Sequence, residues 1–181
     1  MAYKIIALIG KAGSGKDTIL KEILKQEPIK YNEIVSCTTR PKRENEIDGV
    51  NYYFLTPSEF ANKILNYEML EATSFNDWFY GTSYDSLRSG IPNIGVFNPD
   101  GIRALSQNND INLTVYYIQA SDKTRLLRQL NRENNPNVAE IVRRYKTDEE
   151  DFDGLEFETI NLTNENPEDI LDIVSKILGQ N

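Results

Sequence analysis

The chain has 181 residues, 39% of them hydrophobic, and a formal net charge of -8, which supplies apolar material for one core under a surface too acidic for broad association with nucleic acid or anionic membrane. It contains no His and one Cys, Cys37, which excludes imidazole bases, His-ligated metals, Ser-His-Asp triads and internal disulfides. Any anion-binding site must therefore be local, and the lone thiol together with apolar runs too short to span a membrane predicts a cytoplasmic protein with no nucleic-acid or membrane partner.

In chain order, "KIIALI" reads as a buried strand, "DTILKEILKQ" as an amphipathic helix and "EIVSCTT" as a second strand. Between Cys37 and Tyr84 the rhythm changes to "NYYFL", a short helix "PSEFANKIL", then "YEMLEATSF" and "WFYGTSY", which predicts an inserted β-rich lobe. Strand and helix then alternate again: "NIGVF" with "PDGIRALSQ", "NLTVYYIQ" with "SDKTRLLRQLNR", and "FETINL" with "NPEDILDIVSKIL". That order predicts an α/β fold around a parallel sheet of about five strands. The polar "NRENNP" reads as a loop between two helices, a position where α/β scaffolds carry mobile lids.

The first strand and first helix are joined by "GKAGSGKDT", Gly10 to Thr18. It follows the phosphate-binding pattern G-x-x-x-x-G-K-[ST] except that Asp17 replaces the hydroxyl residue. Gly10, Gly13 and Gly15 permit close backbone approach, so that consecutive N–H groups of the loop can turn toward phosphate oxygens. Lys16 adds a mobile cation, and the following helix adds its positive end. Lys11, Ala12, Ser14, Asp17 and Thr18 complete the candidate triphosphate site. The loop alone leaves open whether the triphosphate is a phosphoryl donor, a switch ligand or an energy source.

A second basic focus follows in "SCTTRPKRENEIDGVNYYFL", where Arg40, Lys42 and Arg43 fall within four residues of an acidic chain. Planar guanidinium groups there suit a phosphate clamp, and tyrosine hydroxyls come after them. Thr38, Thr39, Arg40, Arg43, Glu46, Gly49, Tyr52 and Phe54 give this stretch the spacing of the guanylate kinase signature, and the chain resembles that family from the P-loop to the last strand.

The resemblance implies a P-loop NTPase-type core over 1–36, 85–127 and 150–181, a mononucleotide-binding lobe over 37–84 and a helical lid over about 128–149. It implies phosphoryl transfer from ATP, with Mg2+, to GMP or dGMP. Ser36, Arg40, Arg43, Glu46, Tyr52 and Tyr80 would border the mononucleotide, with both arginines and both tyrosines on its phosphate. Glu71 matches the acid that reads guanine, and Thr82 stands where a Ser is usual. Arg128, Arg132 and Arg144 resemble the lid arginines, which with Lys16, Arg40 and Arg43 form the catalytic set, and Asn161 resembles the position near the donor adenine. The chemistry agrees with these assignments. A carboxylate accepts both guanine donors, whereas adenine would leave it unpaired. A phosphate nucleophile is already anionic, so the lack of His is no obstacle.

Two positions depart from the pattern. Aligned on Gly101, Val96 and Asn98 fall where the family carries acids, and Asp100 lies two residues beyond. Asp17 either supplies the missing metal-binding carboxylate or caps the first helix. The altered segment and Thr82 also leave open a different nucleoside monophosphate or sugar phosphate as acceptor, and a third alternative is a non-catalytic phosphopeptide-binding module. Oligomeric state is not legible in these residues.

Overall fold

The computed structural model describes residues 2–42, 44, 46–75, 77–132 and 134–180. Its first strand, β1 (Tyr3–Ile9), buries Ile5, Ile6, Ala7, Leu8 and Ile9 completely, the continuous apolar run expected of a strand covered on both faces. The elements that follow are α1 (Lys16–Gln26), β2 (Asn32–Glu33), β3 (Cys37–Thr38), β4 (Tyr53–Phe54), α2 (Pro57–Leu65), β5 (Met69–Phe75) and β6 (Trp78–Ser83). The chain continues through β7 (Asn93–Val96), α3 (Pro99–Ser106), β8 (Ile111–Gln119), α4 (Asp122–Leu130), α5 (Val138–Asp151), β9 (Ile160–Thr163) and α6 (Asp169–Gln180). Five strands form one sheet in the order β2-β7-β1-β8-β9, and four form a second in the order β4-β3-β6-β5. The β2/β7 and β8/β9 pairs are parallel. Among the described residues no helix is long and apolar enough to cross a membrane.

The chain divides into two compact units. The first comprises Met1–Ile6, Ile29–Gly95 and Asp100–Leu113, and so contains the whole four-stranded sheet with α2. The second comprises Ala7–Pro28, Val96–Pro99 and Thr114–Asn181, and contains the glycine-rich loop, α1, α4, α5, β9 and α6. The 37–84 stretch read from the sequence as a lobe thus lies inside a larger unit that also takes β2 and most of α3.

The run "EIVSCTT" is one element in the sequence reading and two in the structure: Glu33 belongs to the parallel sheet and Cys37 to the inserted one. A polar anchor fixes the first piece. Asn93, fully buried, accepts from Asn32 Nδ2 at 2.8 Å and from the Arg88 N–H at 2.7 Å, and it donates to the Arg88 carbonyl at 3.0 Å. This pins the Asn32↔Asn93 register, which a buried amide does only when its donors and acceptor are all used. In the inserted sheet, Thr56 and Glu59 form a reciprocal capping box at the start of α2, and Phe60 stacks on Phe79 at 5.6 Å, seating the helix on β6.

The backbone packs tightly at Gly81, paired with Ala72 across β5 and β6. A Cβ there would lie 2.5 Å from the Glu71 carbonyl oxygen and 3.2 Å from Ala72 Cα. Backbone cannot yield as a side chain can, so Gly81→Ala is expected to destabilise the protein by about 1–3 kcal/mol. A urea unfolding midpoint equal to that of the parent would contradict this.

Candidate active site

In the second unit, β1 runs into the glycine-rich loop, and α1 starts at Lys16 behind Gly15, whose φ of 94° is left-handed. Gly13, at φ 82°, backs directly onto α4: a Cβ would lie 2.5 Å from the Arg125 carbonyl oxygen, so only glycine fits both the dihedral and the space. The loop carbonyls face side-chain donors. Arg128 Nη1 donates to the carbonyls of Gly13 and Ser14 at 3.4 Å each, and to that of Asn164 at 3.0 Å. Asn164 Nδ2 reaches the Ser14 carbonyl at 2.7 Å. Arg125 Nε and Gln129 Nε2 reach the Ala12 carbonyl at 3.1 and 3.4 Å. The Ala12 N–H donates to Asp148 Oδ2 at 2.6 Å, and Lys11 pairs with Glu149. The Ser14 hydroxyl is buried without a partner among the described residues.

Among the described residues the Lys16 ammonium and the exposed Asp17 carboxylate have no hydrogen bond or ion pair, and Thr18 is exposed beside them. Asp100 pairs with Arg103 at 2.5 Å. No group of three or more acidic or thiol side chains that could hold a metal occurs among the described residues. The three arginines expected of a lid have separate environments. Arg128 is spent on the loop carbonyls, Arg132 is exposed, and Arg144 donates to Glu140 at 2.9 Å. Glu140 also binds Arg143, and the two guanidinium groups, Arg143 first, hold its carboxyl down at about 2. Asn161 is exposed on β9, accepting from the Thr159 hydroxyl at 3.0 Å.

In the first unit, Arg40 is 6% exposed and grips Glu46 with both ends of its fork, at 3.0 and 2.7 Å. Burial disfavours its charge, and the Glu46 carboxylate together with Tyr80 and Tyr52 more than offsets that. The Tyr52 and Phe54 rings flank the guanidinium at 5.6 and 5.7 Å. Tyr52 meets Tyr80 edge-on at 6.1 Å. Arg43 lies outside the described residues. The Ser36 carbonyl accepts the Tyr53 N–H at 2.9 Å, ordering the entry to β3.

Glu71 and Thr82 are opposite one another on β5 and β6, and Thr73 and Tyr80 are the next opposed pair, so period-2 alternation puts all four on one face. Among the described residues, Glu71, 8% exposed, has no ion pair, and the Thr82 hydroxyl, completely buried, has no partner within hydrogen-bond geometry. Desolvation raises the Glu71 carboxyl to about 7, against a lowering by the nearby Thr82 hydroxyl and backbone.

Sequence reasoning singled out the loop, Arg40, Glu46 and Glu71, but not the ion pair between Arg40 and Glu46. It missed Arg125, Gln129, Asp148, Glu149 and Asn164, which hold the loop from α4, α5 and the end of β9. The spacing of Arg125 and Arg128 in "TRLLRQL" carried a signal only for a charged helix face.

A guanylate kinase family model matches residues 2–181. The chain is 32% identical over 184 aligned residues to a guanylate kinase of Thermotoga maritima, covering 98% of this chain and 87% of that protein. It is 35% identical over 117 residues to a guanylate kinase of Mesoplasma florum, an alignment spanning 62% of this chain and 39% of that longer protein. The crystal structure of a guanylate kinase from Anaplasma phagocytophilum superposes with a TM-score of 0.73 at 21% identity, covering 99% of this chain and 86% of that one, a likeness of fold.

The buried acid makes a stability prediction. The native protein keeps a proton on Glu71 up to about pH 7, whereas the unfolded chain releases it near 4.5. The stability this proton confers is fully present below pH 4.5 and is lost as pH rises through 7, a change of about 3 kcal/mol. Glu71→Gln removes the titration. The variant should match the parent near pH 4 and exceed its unfolding free energy by about 3 kcal/mol at pH 8, and parallel pH profiles of urea unfolding would refute it.

Proposed function

The chain belongs to the guanylate kinase family, and from that premise we propose that it transfers the terminal phosphoryl group of ATP to the phosphate of GMP or dGMP. An acceptor phosphate oxygen bonds to the γ-phosphorus as the bond to the β,γ-bridging oxygen breaks, leaving ADP and a nucleoside diphosphate. The attacking oxygen carries its negative charge already, so no proton need be removed, and the residues' work is alignment, charge neutralisation and exclusion of water.

The observation that carries this reading is the buried carboxyl of Glu71, with no ion pair among the described residues, on the same face as Tyr80. A dry carboxylate is unfavourable until something supplies donors, and the guanine edge supplies two, N1–H and the N2 amine. Thr82 offers its free hydroxyl beside them. For the acceptor phosphate, Arg40 is suitable even while it holds Glu46. Of its five N–H bonds, two go to Glu46 and one to the Pro41 carbonyl. The remaining two, with the hydroxyls of Tyr52 and Tyr80, can meet phosphate without giving up the ion pair. Arg43 is proposed as the second phosphate arginine, and Ser36 and Glu46 as the border of the site.

For the donor, the amides from Gly13 to Thr18 and the unpaired Lys16 ammonium take the phosphates of ATP. Arg128 acts through the loop it holds, while Arg132 and Arg144 are the proposed cations for the transferred group. Asn161 remains the proposed residue near the adenine. The exposed carboxylate of Asp17, in the first turn of α1, suits Mg2+ brought in by the nucleotide, with Thr18 as a neighbouring hydroxyl. The ion would neutralise phosphate charge. A cytoplasmic setting agrees with the free thiol of Cys37.

Turnover measured by coupled ADP release over a panel of nucleoside monophosphates should favour GMP over AMP by about 100-fold or more, because adenine strands the acid. Preference for AMP or a pyrimidine nucleotide would sink the guanine assignment. Glu71→Gln should lose about 100-fold in kcat/KM for GMP, and for the parent KM for GMP should rise as pH falls from 8 to 6, since guanine needs the ionised acid. Asp17→Ser should raise the Mg2+ concentration for half-maximal turnover, and an unchanged Mg2+ dependence would leave Asp17 without a metal role.

A further inference from the structure

The outer half of the donor loop is fixed by a charge pair that phosphoryl transfer itself does not call for. Ala12 commits both backbone groups to it, its N–H to Asp148 Oδ2 at 2.6 Å and its carbonyl to Arg125 Nε at 3.1 Å. Arg125 Nη2 then donates to Asp148 Oδ2 at 3.1 Å, closing a ring of contacts that joins the loop, α4 and α5. The Arg125 guanidinium is buried. It bonds Asp122 at 2.9 Å through Nη1 and lies over the Tyr145 ring at 5.1 Å.

Two features make this more than helix packing. A carboxylate behind an anion-binding loop opposes the ligand unless its charge is consumed, and Asp148 is neutralised by Arg125 and by the very amide it orients. A glycine-rich loop also loses much conformational freedom when it closes on phosphate. Fixing Ala12 beforehand removes that loss from the binding step.

We propose that Asp148, acting with Arg125, is a positioning residue for the donor triphosphate: the pair holds Ala12 so that the amides from Gly13 onward are already arranged for phosphate before the nucleotide arrives. The proposal rests on the reading of the loop as the ATP site. It assigns the pair an effect on donor affinity and none on the acceptor, which is bound by residues of the other unit.

The test uses the double variant Arg125→Leu with Asp148→Ala, which removes both charges together and strands neither. Calorimetric titration with ATP and Mg2+, and separately with GMP, gives the two affinities, and a thermal melt accompanies each protein. The expected result is about tenfold weaker ATP binding, with GMP affinity within about twofold of the parent and a melting temperature close to it. Asp148→Asn, which still accepts the Ala12 N–H, should stay within about threefold of the parent for ATP. Should the double variant not fold, Asp148→Ala alone serves, with Arg125 keeping Asp122, Tyr145 and the Ala12 carbonyl, and the same selective loss is expected. Unchanged ATP affinity in a folded variant overturns the proposal, as does a parallel loss for ATP and GMP. If the parent itself binds no ATP, the donor-loop reading falls instead.

Discussion

A loop that turns its N–H groups toward phosphate turns its carbonyls the other way, and buried carbonyls need donors. That constraint organises the second unit. Ala12, Gly13 and Ser14 carbonyls are met by Arg125, Gln129, Arg128 and Asn164, three of these side chains from one helix and the fourth from the turn after β9. Hydrogen bonds from charged donors contribute about 1.5–3 kcal/mol each, enough for α4 to be placed by the loop as much as by its apolar face. The turn is fixed in its own right: Glu165 accepts from the Ser121 hydroxyl at 3.0 Å and from the Thr124 hydroxyl at 2.7 Å, tying it to the start of α4. Glycine at 13 and at 15 is then required from outside the loop. The space their side chains would need is taken by the Arg125 carbonyl and the Asn164 amide.

The acceptor lobe handles its charges in two opposite ways. Arg40 is kept ionised by Glu46 and by two aromatic faces, so a permanent cation stands where the acceptor phosphate is proposed to bind. Glu71 has no ion pair among the described residues and titrates near 7, so at physiological pH it is divided between acid and carboxylate. The contrast has chemical sense. A phosphate is charged whichever base it carries, so a standing charge can receive it. A base edge is neutral, and a carboxyl left dry and unpaired gains most from the one edge that presents two donors. The selective element is thereby made costly in the empty protein, and the general element is not.

What was legible in the sequence was local. The apolar run, the glycine spacing and the signature from Thr38 to Phe54 each fit within about 20 residues, and each gave its element directly. Three things were not local. "EIVSCTT" reads as one strand because nothing in seven residues marks where the chain leaves one sheet for another. In "INLTN" two asparagines compete, and only the end of β9 at Thr163 decides that Asn161 is exposed while Asn164 turns in to the loop. Arg125 has the spacing of a solvated helix face, yet it is 1% exposed, because its partners come from a loop 113 residues earlier and from Asp148 on another helix. Burial of a charge is decided by such distant partners, which no window along the chain contains.

The start of α1 differs from those of α2, α4 and α5. The first-turn amides of α2, α4 and α5 are met by the side chains of Thr56, Ser121 and Asn137, each accepting from the N–H three residues on. At α1 the capping position is Gly15, which has no side chain to offer, although its carbonyl accepts the Ile19 N–H just as the Thr56, Ser121 and Asn137 carbonyls accept the N–H four residues on. A helix end without a cap is about 1 kcal/mol less stable than a capped one, and its amides keep the partial positive charge that attracts anions. Asp17 in that turn offsets part of this charge while the loop is empty. A phosphate there would supply acceptors that none of the described residues provides, so on the proposed reading of the loop the uncapped end and the carboxylate beside Lys16 are two sides of one arrangement: an end left open for an anion, and steadied electrostatically until the anion binds.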